Sequence, residues 1–234
     1  NKRFVLGIDT GSRTLCAITL FDSFKDKVIK QLYLGRDVWI KQNKISMRRS
    51  KLQSLADRGN SRAKKSLHNL KCHESDFVKT RVFQIVSQIR RLAVEYNTCI
   101  VTERLSLRKK RLNRNANKRV ARIPYSRLFS QLRAVCLRDD LFFEQVNPKH
   151  TSQSCPKCSY VSSNNRSNSL FACKSCGFTA NADRIASFNI TQRASVIAQY
   201  SLSQMAVNPS LPSNEGVVKM FCEHVASPEE SLTL

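Results

Sequence analysis

Four cysteines constrain this chain more than any other feature of its sequence. Cys155 and Cys158 form one Cys-x-x-Cys knuckle, Cys173 and Cys176 form a second, and 14 residues separate the two pairs. Two residues between thiols make a turn tight enough to aim both sulfurs at one point. Four thiolates then suit a tetrahedral zinc ion with bonds of about 2.3 Å. A redox pair or an iron centre is the alternative, and neither accounts for a duplicated knuckle closing on Gly177 in a basic chain. A site closed by four sulfurs leaves no position for water, so the metal is expected to be structural. It holds together a ribbon too short to fold alone and fixes the residues just beyond it. Asp183 comes seven residues after the last cysteine, which makes the ribbon a scaffold for something nearby.

The 234 residues carry 40 Lys and Arg against 17 Asp and Glu, a formal net charge of +23. An imbalance of that size points to a polyanionic partner, with nucleic acid foremost. No apolar stretch approaches the roughly 20 residues needed to span a bilayer, and the opening "NKRFVLGIDTG" lacks the apolar core and cleavage site of a signal peptide. The remaining cysteines, Cys16, Cys72, Cys99, Cys136 and Cys222, are scattered through apolar or helical contexts. That distribution suits a reducing compartment better than a disulfide framework. A soluble, intracellular protein is expected, with residues missing upstream of Asn1.

Along the chain, "RFVLGID", "TLCAITLFD" and "VIKQLYLG" read as three antiparallel strands, the first two joined by a Gly-containing turn. The stretch from Lys41 to Lys65 is strongly basic, with Arg48, Arg49 and Lys51 at its centre, and is expected to form a groove-facing or solvated helix. Val78, Val82, Ile85, Ile89, Leu92 and Tyr96 recur at spacings of three and four, one apolar face of a long helix. "TCIVTE" is a buried strand ending in Glu103. The acid-free run around Arg108, Lys109, Lys110 and Arg111 reads as a basic loop. A helix through Leu128, Leu132 and Val135, a strand at "LFFEQVNP", the ribbon, and a closing helix through Ala182, Ala186 and Ile190 complete the order, with no internal repeat. Alternation of this kind predicts an α/β sheet with helices on its faces. The expected division is a core at 1–149, the inserted ribbon at 150–179, the rest of the core at 180–200, and a loosely ordered tail at 201–234.

Acidic residues are few, so their placement is informative. Asp9 ends the first strand, Glu103 ends the strand after the long helix, and Asp183 opens the last helix. Adjacent strands that end on the same side bring the first two together, and a helix starting there supplies the third. Three carboxylates in one place repel unless divalent cations join them, and magnesium is the hard, oxygen-seeking choice. Two such ions activate a water and stabilise the departing 3′ oxygen in phosphodiester hydrolysis. Taken singly, each acid reads more readily as a turn former or surface charge, and it is their order and context together that favour the catalytic reading.

"GIDTG", "IVTERLS", "NPKHTSQSCPKC", "FACKSCGFTANAD" and "SFNI", in this order, resemble the carboxy-terminal half of the TnpB (OrfB) proteins of bacterial insertion sequences, which are related to the type V CRISPR effectors. The resemblance covers roughly residues 3–192. It implies a RuvC-type, RNase H-like mixed sheet with flanking helices and a zinc ribbon inserted before the last acidic motif. It further implies a magnesium-dependent DNA endonuclease, with manganese able to substitute, directed by a guide RNA in a prokaryotic cytoplasm. By motif match Asp9, Glu103 and Asp183 take the three catalytic, metal-holding places. Arg48, Arg49, Lys51 and the run Arg108 to Arg111 are the candidate nucleic-acid contacts. Three positions depart from the family pattern: Arg104 where an acid usually follows Glu103, Ile185 in place of a common Asn, and Phe188 where a basic residue is frequent. The sequence also opens on the first nuclease strand, whereas family members carry a sizeable region ahead of it. The competing readings are a family member that binds nucleic acid without cutting it, and a zinc-ribbon assembly protein that leaves the ordered acids unused.

Overall fold

In the computed structural model, which describes residues 2–104, 117 and 120–195, alternating apolar positions at the amino terminus form an antiparallel meander. Its strands are β1 (Phe4–Asp9), β2 (Cys16–Asp22) and β3 (Lys27–Leu34). β4 (Cys99–Glu103) joins β1 in parallel, and β5 (Phe143–Val146) joins β4 in parallel. The result is a five-stranded mixed sheet in the order β3-β2-β1-β4-β5, within the α/β class that the alternation predicts.

A parallel return requires a long crossover, and here it is a helical hairpin of α1 (Arg36–Asp57) and α2 (Ser61–Glu95). The sequence suggests one basic helix over 41–65 and a separate apolar-faced helix further on. The structure differs: the basic stretch is split between two helices, and its second part is continuous with the apolar one. The break has local causes. Gly59 takes a φ of 89°, a left-handed conformation open to glycine, and Asn60 caps α2 by accepting the Ala63 N–H at 3.0 Å. No Gly or Pro interrupts the chain from there to Glu95.

The pleat sends Leu6, Ile8, Ile18, Leu20 and Ile100 to one face of the sheet. There they bury against Val82, Ile85, Val86 and Ile89 of α2 and against Leu128, Leu132 and Cys136 of α3 (Tyr125–Arg138). The other face carries α4 (Ala182–Gln192), with Val5, Cys99 and Val101 packed on Ile190 and Ala194. Gly7 lies beneath this helix, where a Cβ would stand 2.5 Å from the Ser187 carbonyl oxygen and 2.5 Å from Thr191 Cγ2. The absence of a side chain lets helix and sheet approach that closely.

Between β5 and α4 the cysteine segment forms its own three-stranded antiparallel sheet of β6 (Arg166–Ser167), β7 (Leu170–Ala172) and β8 (Thr179–Asn181). β8 runs directly into α4. Phe171, Cys155 and Cys173 share an apolar cluster with Phe21, Val28, Ile185 and Phe188, so the small sheet is seated on the β2–β3 end of the large one. No helix among the described residues is long and apolar enough to cross a membrane. Arg108, Lys109, Lys110, Arg111 and the stretch 201–234 lie outside the described residues.

Candidate active site and cysteine cluster

The parallel register sets Ile8 opposite Thr102, so the next row brings Asp9 beside Glu103 at the carboxyl ends of neighbouring strands. Strands lie about 4.8 Å apart, and both side chains belong to the face that holds Gly7 and α4. The third acid arrives from above. Asn181 caps α4, its Oδ1 accepting the N–H groups of Asp183 at 2.9 Å and Arg184 at 3.3 Å, which fixes Asp183 in the first turn of the helix. Side chains at 9, 103 and 183 thereby converge on one corner of the fold.

Their electrostatics record the crowding. Burial first, then the charges of Glu103 and Asp183, push the Asp9 carboxyl up to about 7, against the opposing pull of Arg166 and the Thr10 N–H. Burial also raises Glu103, while the Thr151 hydroxyl, Arg193 and Arg166 hold it down. Thr151 donates a short hydrogen bond to Glu103 Oε1. Arg166 pairs with Asp183, Nη2 to Oδ1 at 3.0 Å, and is the cation that faces all three acids. Glu103 and Asp183 are close enough to perturb Asp9, but the three carboxylates are not drawn into a chelate. Among the described residues, the four cysteines are the one group that brings three or more metal-ligand atoms within 4.8 Å of each other.

The Sγ atoms of Cys155 and Cys176 are 3.7 Å apart and those of Cys158 and Cys173 are 3.5 Å apart. Sulfurs at the corners of a tetrahedron with 2.3 Å bonds stand about 3.8 Å apart, so the cluster is able to bind a metal ion. Burial pushes the Cys173 thiol up, yet the backbone N–H groups of Cys176 and Ser175 and the neighbouring thiols outweigh it and bring the group down to about 7. Donors aimed at a sulfur favour its thiolate.

The ribbon is also what places Arg166. Asn165, buried to 1% exposure, donates to the carbonyls of Gln153 and Tyr160 and accepts the Lys174 N–H. It thereby ties both knuckles to the residue immediately before Arg166. Sequence reasoning passed over Arg166, whose sole signal is that it stands alone among Ser and Asn in "SSNNRSNS". Thr151, at the turn leading into the cysteine segment, orients Glu103 through its hydroxyl.

The departures from the family pattern have structural explanations. Ile185 is fully buried and Phe188 nearly so, in the apolar seam between ribbon and sheet. Phe188 meets Phe21 edge-on at 5.9 Å between ring centroids. Arg104 follows Glu103 on β4 and turns to the opposite side, where it lines a groove of about 570 Å³ with Tyr125, Phe129, Arg133 and Gln145. Of the basic residues, Arg49 forms an ion pair with Glu74, which Arg122 shares. Arg48 and Lys51 on α1 form no ion pair with a described residue.

Comparison with known proteins extends these observations. The family model for the Cas12f1-like TNB domain matches residues 125–190. A TnpB-like protein of Methanocaldococcus jannaschii is 26% identical over 185 residues, covering 78% of this chain and 62% of the relative. A TnpB-like protein of Aquifex aeolicus is 29% identical over 210 residues, covering 80% and 66%. The CRISPR-associated endodeoxyribonuclease Cas12f1 of Sulfoacidibacillus thermotolerans is 43% identical over 47 residues, 20% of this chain and 11% of that protein. Among solved structures, Cas12f1 in a complex with sgRNA and target DNA shares the fold with a TM-score of 0.62 at 19% identity, over 82% of this chain and 50% of the other. The chain spans less than two thirds of the length of the TnpB-like relatives it matches.

Proposed function

This chain is a relative of the TnpB-like proteins and of the type V CRISPR effectors, and from that premise we propose that it is the DNA-cleaving part of an RNA-guided nuclease. The observation that carries the reading is the convergence of Asp9, Glu103 and Asp183 from two parallel strands and a helix start onto one face, where the charges of Glu103 and Asp183 help to raise Asp9. The sheet order β3-β2-β1-β4-β5, with three antiparallel strands followed by two parallel ones, supports an RNase H-like, RuvC-type core. Residues 150–179 are the zinc ribbon inserted into a nuclease core of 1–149 and 180–200, and the four sulfurs hold a structural zinc.

The acidic donor set suits magnesium or manganese: all oxygen, crowded, and countered mainly by Arg166 and Arg193. Asp9, Glu103 and Asp183 would hold the metal, which when bound activates a water and stabilises the leaving 3′ oxygen of a phosphodiester. Around it the chain's own groups have definable tasks. Thr151 orients Glu103, and Asn181 holds Asp183 at the helix start. Arg166 balances the acids and presents guanidinium donors to a phosphate. The charge of +23 and the unpaired Arg48 and Lys51 on the hairpin support guide RNA and target DNA as partners, gripped through their backbones. In that case sequence is read by guide pairing and not by these side chains.

Incubating the protein with single-stranded DNA and with guide-matched duplex, in magnesium or manganese, tests the reading beside an Asp9→Ala variant. Cleavage that both chelator and Asp9→Ala abolish is expected. Cleavage insensitive to both would refute the assignment. Retained DNA binding with no product in either metal would favour the binding-only reading.

A further inference from the structure

The row of the sheet that holds the acids continues beyond them. Asp9 pairs with Ala17 and Ala17 pairs with Tyr33, so Glu103, Asp9, Ala17 and Tyr33 stand side by side on the face beneath α4. Two strand spacings put Tyr33 about 10 Å from Asp9, on the edge strand β3, and the small Ala17 keeps the floor between them low. Arg184, next after Asp183, lays its guanidinium 5.6 Å from the centre of the Tyr33 ring. The Tyr33 hydroxyl and Arg184 Nε are both buried, and neither makes a well-formed hydrogen bond to a described residue beyond the looser contact of the guanidinium with the phenol. Buried polar atoms are nearly always paired, so a guanidinium and a phenol with only each other for company, at the rim of a carboxylate site, leave donor capacity for an acceptor from outside the chain. Burial, aided by the Asp183 charge and outweighing the charge and hydrogen bond of Arg184, pushes the Tyr33 phenol up to about 12, which keeps it a donor at neutral pH.

We propose that Tyr33 and Arg184 form a phosphate-holding subsite that seats the DNA strand on the β3 side of the acids. Oxygens of a phosphodiester complement a guanidinium and a phenol together. The ring beneath the guanidinium holds its plane, and the main chain of Arg184 is tied to the Asn181 cap that also fixes Asp183. Adjacent phosphates of one strand stand about twice the 3.4 Å axial rise apart, so 10 Å corresponds to a phosphate about one or two nucleotides from the one cut. The pair therefore positions the strand and decides which bond reaches the acids. The reason a DNA strand lies there rests on the nuclease reading, whereas the contact itself is a matter of binding and is testable without cleavage.

The test uses the full chain and a single-stranded oligodeoxythymidylate, with affinity measured against salt and the same titration repeated on an RNA oligonucleotide. Arg184→Gln is expected to lower the slope of log affinity against log salt on DNA by about 0.7, the equivalent of one phosphate on a single strand, while Arg184→Lys keeps the slope. Tyr33→Phe is expected to leave the slope intact and weaken binding about ten- to a hundredfold, one hydrogen bond to a charged group. A single methylphosphonate moved along the DNA should impair wild-type binding at one position more than at its neighbours, and that position should become silent in Arg184→Gln. If Arg184→Gln does not fold, loss of the same sensitivity in Tyr33→Phe decides the matter. A wild-type slope in a folded Arg184→Gln, a methylphosphonate profile that neither variant changes, or a slope loss confined to RNA would each overturn the proposal. Failure of the wild-type protein to cut DNA in any metal would count against the nuclease reading and leave these binding results to decide the subsite.

Discussion

Gly7 is the point where the sheet and the helix bearing Asp183 come closest, so adding one methyl group there tests how the acidic site is assembled. In Gly7→Ala the new carbon would meet the Ser187 carbonyl oxygen at 2.5 Å, Thr191 Cγ2 at 2.5 Å and the Thr191 nitrogen at 3.0 Å. Two of these atoms are main chain, and no rotamer change removes them. Relief requires α4 to lift. Ordinary contact begins near 3.4 Å, so the retreat is roughly 0.9 Å. Overpacking of this kind costs about 1–3 kcal/mol. The same movement carries Asp183, one helical turn before Ser187, away from Asp9 and Glu103, and a displacement of about 1 Å at a reacting centre costs roughly a hundredfold in rate. Gly7→Ala is therefore expected to lower the urea midpoint by the equivalent of about 1–3 kcal/mol. Single-turnover DNA cleavage should fall about a hundredfold, with DNA affinity and zinc content as in the wild type. A variant that unfolds and cleaves like the wild type would refute the claim that close helix–sheet approach sets the position of Asp183.

The other predictions concern the ribbon, its seam and one remote ion pair. Native mass spectrometry should find one tightly held zinc, and Cys173→Ser should lose it together with order in β6, β7 and β8, seen as faster amide exchange there. Restoring the family's residue with Ile185→Asn should destabilise the protein by about 1–3 kcal/mol in chemical denaturation, because it buries an amide among Cys155, Phe171 and Phe188 with no partner in that seam. Hydrogen bonds from Arg90, then from Arg138, hold the Asp139 carboxyl down at about 2. A depressed carboxylate stabilises the fold fully above its unfolded value of about 3.9 and loses that contribution as pH falls toward 2. Stability should therefore drop through this window in the wild type, and less steeply in Asp139→Asn. Equal slopes in the two proteins would show that the pair linking α2 to the end of α3 contributes nothing.

Much of this was legible in the linear chain because the signals are local. A Cys-x-x-Cys turn needs only its own four residues to aim two sulfurs, and Asp9, Glu103 and Asp183 announce themselves by ending strands or opening a helix. The apolar stripe of α2 repeats with the helical period. What the linear chain did not reveal was partly local and partly dependent on neighbours far away in sequence. The basic stretch at 41–65 hid a Gly59–Asn60 break, because its charges obscured the cap. Ile185 and Phe188 stand out in sequence only as departures from the family pattern, and their packing against Phe21 and Phe171 comes from the fold.

The sequence alone determined the metal-ligand spacing, the excess of positive charge, the strand and helix periods and the identities of the three acids, all properties of short segments that need no knowledge of what lies across the core. Tertiary structure decided that Arg166 from the ribbon is the counterion of those acids, that Arg104 faces away from them, and that Tyr33 shares their row. Each of these follows from strand register and from how closely α4 settles on Gly7, and such long-range packing is set only when the whole core closes.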